Sequence, residues 1–194
     1  MPTLITPCVV HALRPDRGNI GITAIDKRAV TGQVKVGPFG LYADVQADRK
    51  HHGGLDQAVY AYSDEDAAFW QSELGRDLNP GWFGENLRVS EVNLSEVRVG
   101  ERWQIGETVV LEATYAREPC QTFARWVGGE HERGWVKRFH NEGRLGAYFR
   151  VIQRGKVQAG DNIQILSIPD DAPTLLELYR ASAPIRFSAD PVSR

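Results

Sequence analysis

Cysteine is scarce in this chain, with only Cys8 and Cys120 among 194 residues. Two cysteines exclude a disulfide-stapled scaffold, and a reducing compartment keeps both as thiols. Metal-ligand spacing is missing as well. No Cys-x-x-Cys or His-x-x-x-His pair occurs, and the adjacent His51 and His52 would face opposite sides of an extended chain, which argues against a zinc site. No apolar run is long enough to span a bilayer. The start Met1-Pro2-Thr3-Leu4-Ile5 lacks the charged head and long apolar stretch of a signal peptide, so a cytoplasmic protein with no membrane association is expected. A formal net charge of −2 argues against general nucleic-acid binding, which needs a basic face to neutralise phosphates.

What is present centres on Arg117-Glu118-Pro119-Cys120, which follows a strand signal and precedes a short helical one. Proline is favoured in the first turn of a helix, so Cys120 is predicted among the free N–H groups of a helix start. That placement, with Arg117 and Arg125 nearby, favours a thiolate able to attack carbon or bind a soft metal. An inert, buried thiol is the competing reading, and it is the one that fits Cys8 in Pro7-Cys8-Val9-Val10. Charge is unevenly spread around Cys120. Between Ala113 and Lys156, nine Lys or Arg stand against four Asp or Glu, while the remainder holds fourteen against twenty-one. An anionic ligand or a set of solvated helix faces accounts for that excess equally well.

Short β signals in quick succession, at Leu4 to Leu13, Ile20 to Ile25, Ala29-Val30 and Gln33 to Val36, point to a barrel or sandwich. A polar loop from Asp48 to Asp56 carries Arg49, Lys50, His51, His52, Gly53 and Gly54; the glycines permit a sharp turn and close approach to a ligand. Ser63 is predicted to cap a helix that Gly75 stops. Then come the aromatic turn Trp82-Phe83-Gly84-Glu85-Asn86, strands from Val97 to Ile105 and Thr108 to Tyr115, a short helix ending at Gly128-Gly129, and another from about Glu130 to Asn141. Strands at Gly146 to Arg154 and Asn162 to Ile168 close the β part, and a small helix is expected over Thr174 to Ala183. Val157, Gly160, Asp161, Gln164 and Ile165 echo Val97, Gly100, Glu101, Gln104 and Ile105, which suggests two turn-strand units of one barrel.

The ordered set His52-Gly53-Gly54-Leu55-Asp56-Gln57-Ala58-Val59-Tyr60, Gly81-Trp82-Phe83-Gly84-Glu85-Asn86-Leu87, Arg117-Glu118-Pro119-Cys120 and Gly155-Lys156-Val157-Gln158-Ala159-Gly160-Asp161 resembles the MOSC domain family. The likeness runs from about Thr3 to Ile168 and is strongest to the small bacterial YiiM-like branch. It implies a mainly β fold with α elements (α+β): a MOSC-type β-barrel over 1–168 with a few short helices around it, and a short helical tail over 169–194. It also implies binding of the molybdenum cofactor, molybdopterin, with Cys120 as the thiolate ligand of the metal and the catalytic residue. His52, Gly53, Gly54, Asn86 and Arg117 match motif positions expected near the cofactor, and Lys50 and Arg125 are nearby candidates for its phosphate. Pyridoxal phosphate binding is a further family-level expectation. Ala116 replaces the proline found before the arginine in many relatives, and the segment after Ile168 is shorter than in longer YiiM-like proteins.

Two functions follow from the resemblance. One is a molybdenum-cofactor-dependent oxidoreductase that reduces the N–O bond of a small N-hydroxylated substrate, fed by a separate electron-donating reductase because no flavin or iron–sulfur motif is visible. The other is a non-catalytic carrier of the cofactor or of sulfur, with Cys120 as the carrying thiol. The residues alone also leave open a metal-free cysteine enzyme with His51 or His52 as base. A monomer or a homodimer is compatible with either.

Overall fold

The longest strand, β1 (Thr3–Pro15), lies at the junction of the architecture. In this computed structural model, residues 1–18, 20–46, 53–128 and 134–182 are described. β1 pairs antiparallel with β2 (Ile22–Ala29) along one side and with β6 (Leu87–Ser90) along the other. β5 (Val59–Ser63) joins β6 in parallel, and α1 (Asp64–Leu74) makes the crossover that a parallel pair requires. β9 (Ala147–Gln153), β8 (Val109–Ala116), β7 (Arg102–Ile105) and β11 (Ile163–Ser167) continue the sheet antiparallel, giving the order β11-β7-β8-β9-β5-β6-β1-β2. The two halves of the sequence echo meet here, since Gln164 of β11 pairs with Gln104 of β7.

Backbone hydrogen bonds join the far end of this sheet to its start. The Leu4 N–H donates to the Asp161 carbonyl at 2.8 Å, the Gly160 N–H donates to the Leu4 carbonyl at 2.8 Å, and the Ile163 N–H donates to the Pro2 carbonyl at 2.9 Å. The sheet is thus wrapped barrel-like and joined by a few bonds, with β2 flaring beyond the seam. A small second sheet orders β10 (Gly155–Val157), β3 (Val34–Gly37) and β4 (Gly40–Leu41). The fold is α+β, as expected from the sequence.

Alternation along β5 divides the core. Val59 faces Phe149 of β9, whose ring lies 4.7 Å from that of Trp103. Tyr60 and Tyr62 turn to the other side, where Phe83 stacks on Tyr62 at 3.9 Å. This second layer is roofed by α2 (Gln121–Val127) and α3 (Trp135–Glu142), through Phe123, Trp135 and Phe139, and these reach Trp70 of α1. All of these rings are buried, and burying each stabilises the fold by about 2–3 kcal/mol.

Local signals set the helix ends. Ser63 accepts from the Asp66 N–H and caps α1, and Gly75 stops it with φ 61°. α2 begins at Gln121, so Pro119 lies outside the helix and Cys120 is its N-cap residue, whereas the proline rule would place Pro119 in the first turn with Cys120 inside the helix. α4 (Leu175–Ser182) is anchored by the Leu175 N–H to the Val97 carbonyl at 2.8 Å, and Leu175 and Tyr179 belong to the same buried cluster as the barrel. Among the described residues no helix is long and apolar enough to cross a membrane.

Candidate functional site

Strand β8 delivers the site. Its last residue, Ala116, is still paired with Ala147, and the next turn brings Arg117 inward and exposes Glu118. Cys120 follows, partly buried against the core, and its carbonyl accepts the first helical bond of α2 from Ala124 N–H at 3.0 Å. The thiol is therefore held on a rigid helix start, with only part of its surface sealed.

Arg117 is the unusual member. It is buried, its guanidinium donates to the Phe83 carbonyl, and it lies 5.1 Å from the Tyr60 ring centre and 4.4 Å from that of Phe123. Among the described residues it has no carboxylate partner. Burial opposes its charge, but Tyr60, Tyr148 and the Cys120 sulfur outweigh burial, and its pKa stands above the ordinary arginine value. Arg88 shows what the fold does elsewhere with a buried guanidinium: it meets Glu85 at 2.7 Å, with both side chains sealed from solvent. An isolated buried cation costs several kcal/mol unless an anion approaches it. Rings and a carbonyl offset part of that cost for Arg117.

Two tyrosines that the sequence did not single out complete the cluster. Tyr60 of β5 and Tyr148 of β9 sit opposite each other, with ring centres 4.9 Å apart. Burial, the largest effect, pushes both phenols above their usual pKa while Arg117 draws them down. The turn 81–86 supports Arg117 from below. Glu85 holds this turn closed by accepting from the Gly81 N–H at 2.7 Å and from Arg88.

The other predicted residues fall in different places. Asn86 is buried and its side chain is occupied: Oδ1 accepts from the Tyr60 N–H at 3.1 Å, and Nδ2 donates to Asp44 at 2.7 Å. It ties the floor of the cluster together, with its amide turned to protein partners. Arg125 lies near enough to Cys120 to feel its charge, but its fork is held by Asp16 at 2.7 Å through both oxygens. Asp16 is drawn down to about 2, first by that arginine hydrogen bond. Gly54 adopts φ 89° with open space where a Cβ would stand, so the backbone there is free to approach a ligand. Gly53 is described beside it, whereas Lys50, His51 and His52 lie outside the described residues. Asp56 is bridged to Arg150 at 2.7 Å, and Arg138 and Arg144 are paired with Glu73 and Asp66. Several of the positive charges around Cys120 are therefore held in ion pairs, whereas Arg117 is buried without a carboxylate partner among the described residues.

Among the described residues no group of three or more His, Cys, Asp or Glu could hold a metal ion. Among the described residues, the soft donor that this cluster offers a metal is the Cys120 thiol.

Comparisons with known proteins bear on the family and the fold. The profile of the MOSC domain matches residues 48–164, which hold Gly53, Gly54, Asn86, Arg117 and Cys120. Over 145 residues the chain is 35% identical to the uncharacterized protein YflK of Bacillus subtilis, covering 75% of this chain and 64% of YflK. Protein YiiM of Escherichia coli is 29% identical over 153 residues, 77% of this chain and 66% of its own length. A reductase of Gibberella moniliformis is 28% identical over 180 residues, which span 88% of this chain and 31% of that protein. The chain thus spans two thirds or less of these relatives. In three dimensions it superposes on YiiM from Geobacillus stearothermophilus with a TM-score of 0.74 at 23% identity, over 97% of this chain and 85% of that one, and this likeness concerns the fold. Given the matched domain over more than half its length, the YflK identity and the shared fold, the chain belongs to the MOSC domain family.

Proposed function

We propose that this protein binds the molybdenum cofactor with Cys120 as thiolate ligand and reduces the N–O bond of small N-hydroxylated compounds, with electrons from a separate reductase. The observation that carries the cofactor reading is Arg117, a buried guanidinium with no carboxylate partner among the described residues, beside a partly accessible thiol. A pterin dithiolene that carries its own sulfur ligands, a phosphate and net negative charge fits that pair: it asks one soft donor of the protein and supplies the anion that Arg117 lacks. When bound, the molybdenum centre supplies two-electron oxygen-acceptor chemistry.

The chain's own residues would do the rest. Cys120 fixes the group at the start of α2, Arg117 neutralises it, and Gly54 lets the 53–57 loop close on it without side-chain hindrance. Lys50 remains a proposed phosphate contact, and His52 a proposed cofactor neighbour from the family motif. Arg125 would have to leave Asp16 to serve there, so it is better suited to holding α2. Pyridoxal phosphate receives no support from Lys27, whose amine is ion-paired with Asp44 at 2.7 Å.

The test is turnover. Protein from a host that makes the cofactor, given benzamidoxime and an artificial electron donor, should yield benzamidine, and Cys120→Ala should abolish the reaction. Loaded wild-type protein that leaves amidoximes and hydroxylaminopurine unreduced would favour a carrier of cofactor or sulfur.

A further inference from the structure

Tyr148 presents a hydroxyl that none of the interactions above employs. Its neighbour Tyr60 has a committed hydroxyl, which donates to the Leu145 carbonyl at 2.8 Å. The backbone of Tyr148 is also committed: its carbonyl accepts from Thr114 Oγ1 at 3.0 Å, and its strand is paired on both sides, with β5 and β8. Backbone and ring are therefore fixed, the ring against Tyr60 at 4.9 Å. The Tyr148 hydroxyl has no hydrogen-bond partner among the described residues. Tyr60 is buried whereas Tyr148 is partly open to solvent. Arg117 and Cys120 both act on the Tyr148 phenol through their charges, so it stands at the same cluster as the thiol. Burial, the largest effect, raises its pKa over the opposing pull of Arg117, and the hydroxyl keeps its proton at neutral pH.

We infer that Tyr148 is a catalytic residue of the reaction proposed above, donating a hydrogen bond and then a proton to the oxygen that leaves a substrate nitrogen. The inference rests on that reading. Reduction of R–NH–OH to R–NH2 breaks the N–O bond and consumes two electrons and two protons, with the oxygen released as water. The electrons come from the external reductase, and the cofactor held at Cys120 would supply the redox chemistry that passes them on. One proton passes from the Tyr148 oxygen to the departing oxygen, solvent supplies the other, and a further solvent proton restores the phenol. A rigid donor whose own partner is missing costs no bond to recruit, which suits general acid catalysis. The substrate class is correspondingly narrow: small molecules whose N–O oxygen can reach the Tyr148 hydroxyl.

The experiment compares wild type with Tyr148→Phe, which keeps the ring against Tyr60. Three quantities are read: molybdenum and pterin per chain, equilibrium binding of benzamidoxime to the oxidised, loaded protein, and kcat with an artificial donor. The expected result is unchanged molybdenum and pterin, binding weakened by about three- to tenfold through one lost hydrogen bond, and kcat lowered by about a hundredfold. Equal binding and equal kcat in the variant would overturn the assignment. So would loss of molybdenum in the variant, which would make Tyr148 a holder of the cofactor. Wild-type protein that carries no molybdenum would overturn the function proposed above and this inference with it, a failure visible before the variant is made.

Discussion

Two buried guanidiniums in this protein are treated in opposite ways. Arg88 is sealed together with Glu85 and supports the turn at 81–86; removing Arg88 would leave Glu85 as a buried charge, and removing Glu85 would leave Arg88 with the exposed Asp64 at 3.1 Å as its remaining carboxylate. Arg117 is left against rings and a carbonyl, and its anion must come from the thiol or a ligand. Arg125 gives a third case, a bidentate pair with Asp16 that fastens the end of β1 to the helix of Cys120. Asp16 titrates at about 2 against an ordinary 3.8. A depressed carboxyl pKa adds stability that is fully present above the unfolded value and is lost as pH falls through the folded one, here between about pH 4 and pH 2. Arg125 is about a third exposed, so solvent screening reduces the contribution to about 1 kcal/mol at neutral pH. Asp16→Asn should lower the stability measured by urea unfolding at pH 7 by about that amount, and the gap to wild type should shrink as pH falls from 4 to 2. A gap that stays constant over that range would mean that Asp16 acts through shape and not charge.

The elements show which parts of this were legible in the sequence. α1 was readable from both ends, because Ser63 and Gly75 act on their immediate neighbours. The position of the Arg117 to Cys120 turn between a strand and a short helix was equally local. What the sequence hid depends on distant partners: Arg125 meets Asp16 across 109 positions, and the side chain of Asn86 is consumed by Asp44 and the backbone of Tyr60. Tyr60 and Tyr148 become a pair only through the β5–β9 register, which no local pattern specifies. The separate signals at Ile20 to Ile25 and Ala29 merge into one strand because β1 supplies a continuous partner. The turn after Pro80 is tighter than its glycines alone indicate. Gly81 has φ 94°, and a Cβ there would stand 2.3 Å from the Lys27 carbonyl oxygen. Gly81→Ala must move that turn off β2, so a loss of about 2 kcal/mol or more is expected in chemical denaturation. A neutral result would show that the turn has room to shift without disturbing Glu85.

At the scale of the whole molecule, the wrapped sheet and its helical roof serve to bury a positive charge beside a thiol. The seam at Leu4, Gly160 and Asp161 completes the wrap, and the layer from Tyr62 through Phe123 to Trp70 seals the helices over it. α4 closes the far side, where Tyr179 shares a hydrogen bond of 2.6 Å with His140. A protein under no demand but stability would fill the place of Arg117 with an apolar side chain. The most direct measurement is therefore molybdenum and pterin content per chain for wild type, Cys120→Ser and Arg117→Met, each made in a cofactor-competent host, with the thermal stability of each cofactor-free protein. The account predicts about one molybdenum per chain in wild type, little or none in either variant, and an Arg117→Met protein at least as stable as wild type when empty. Wild-type protein without molybdenum, or full loading in both variants, would contradict it.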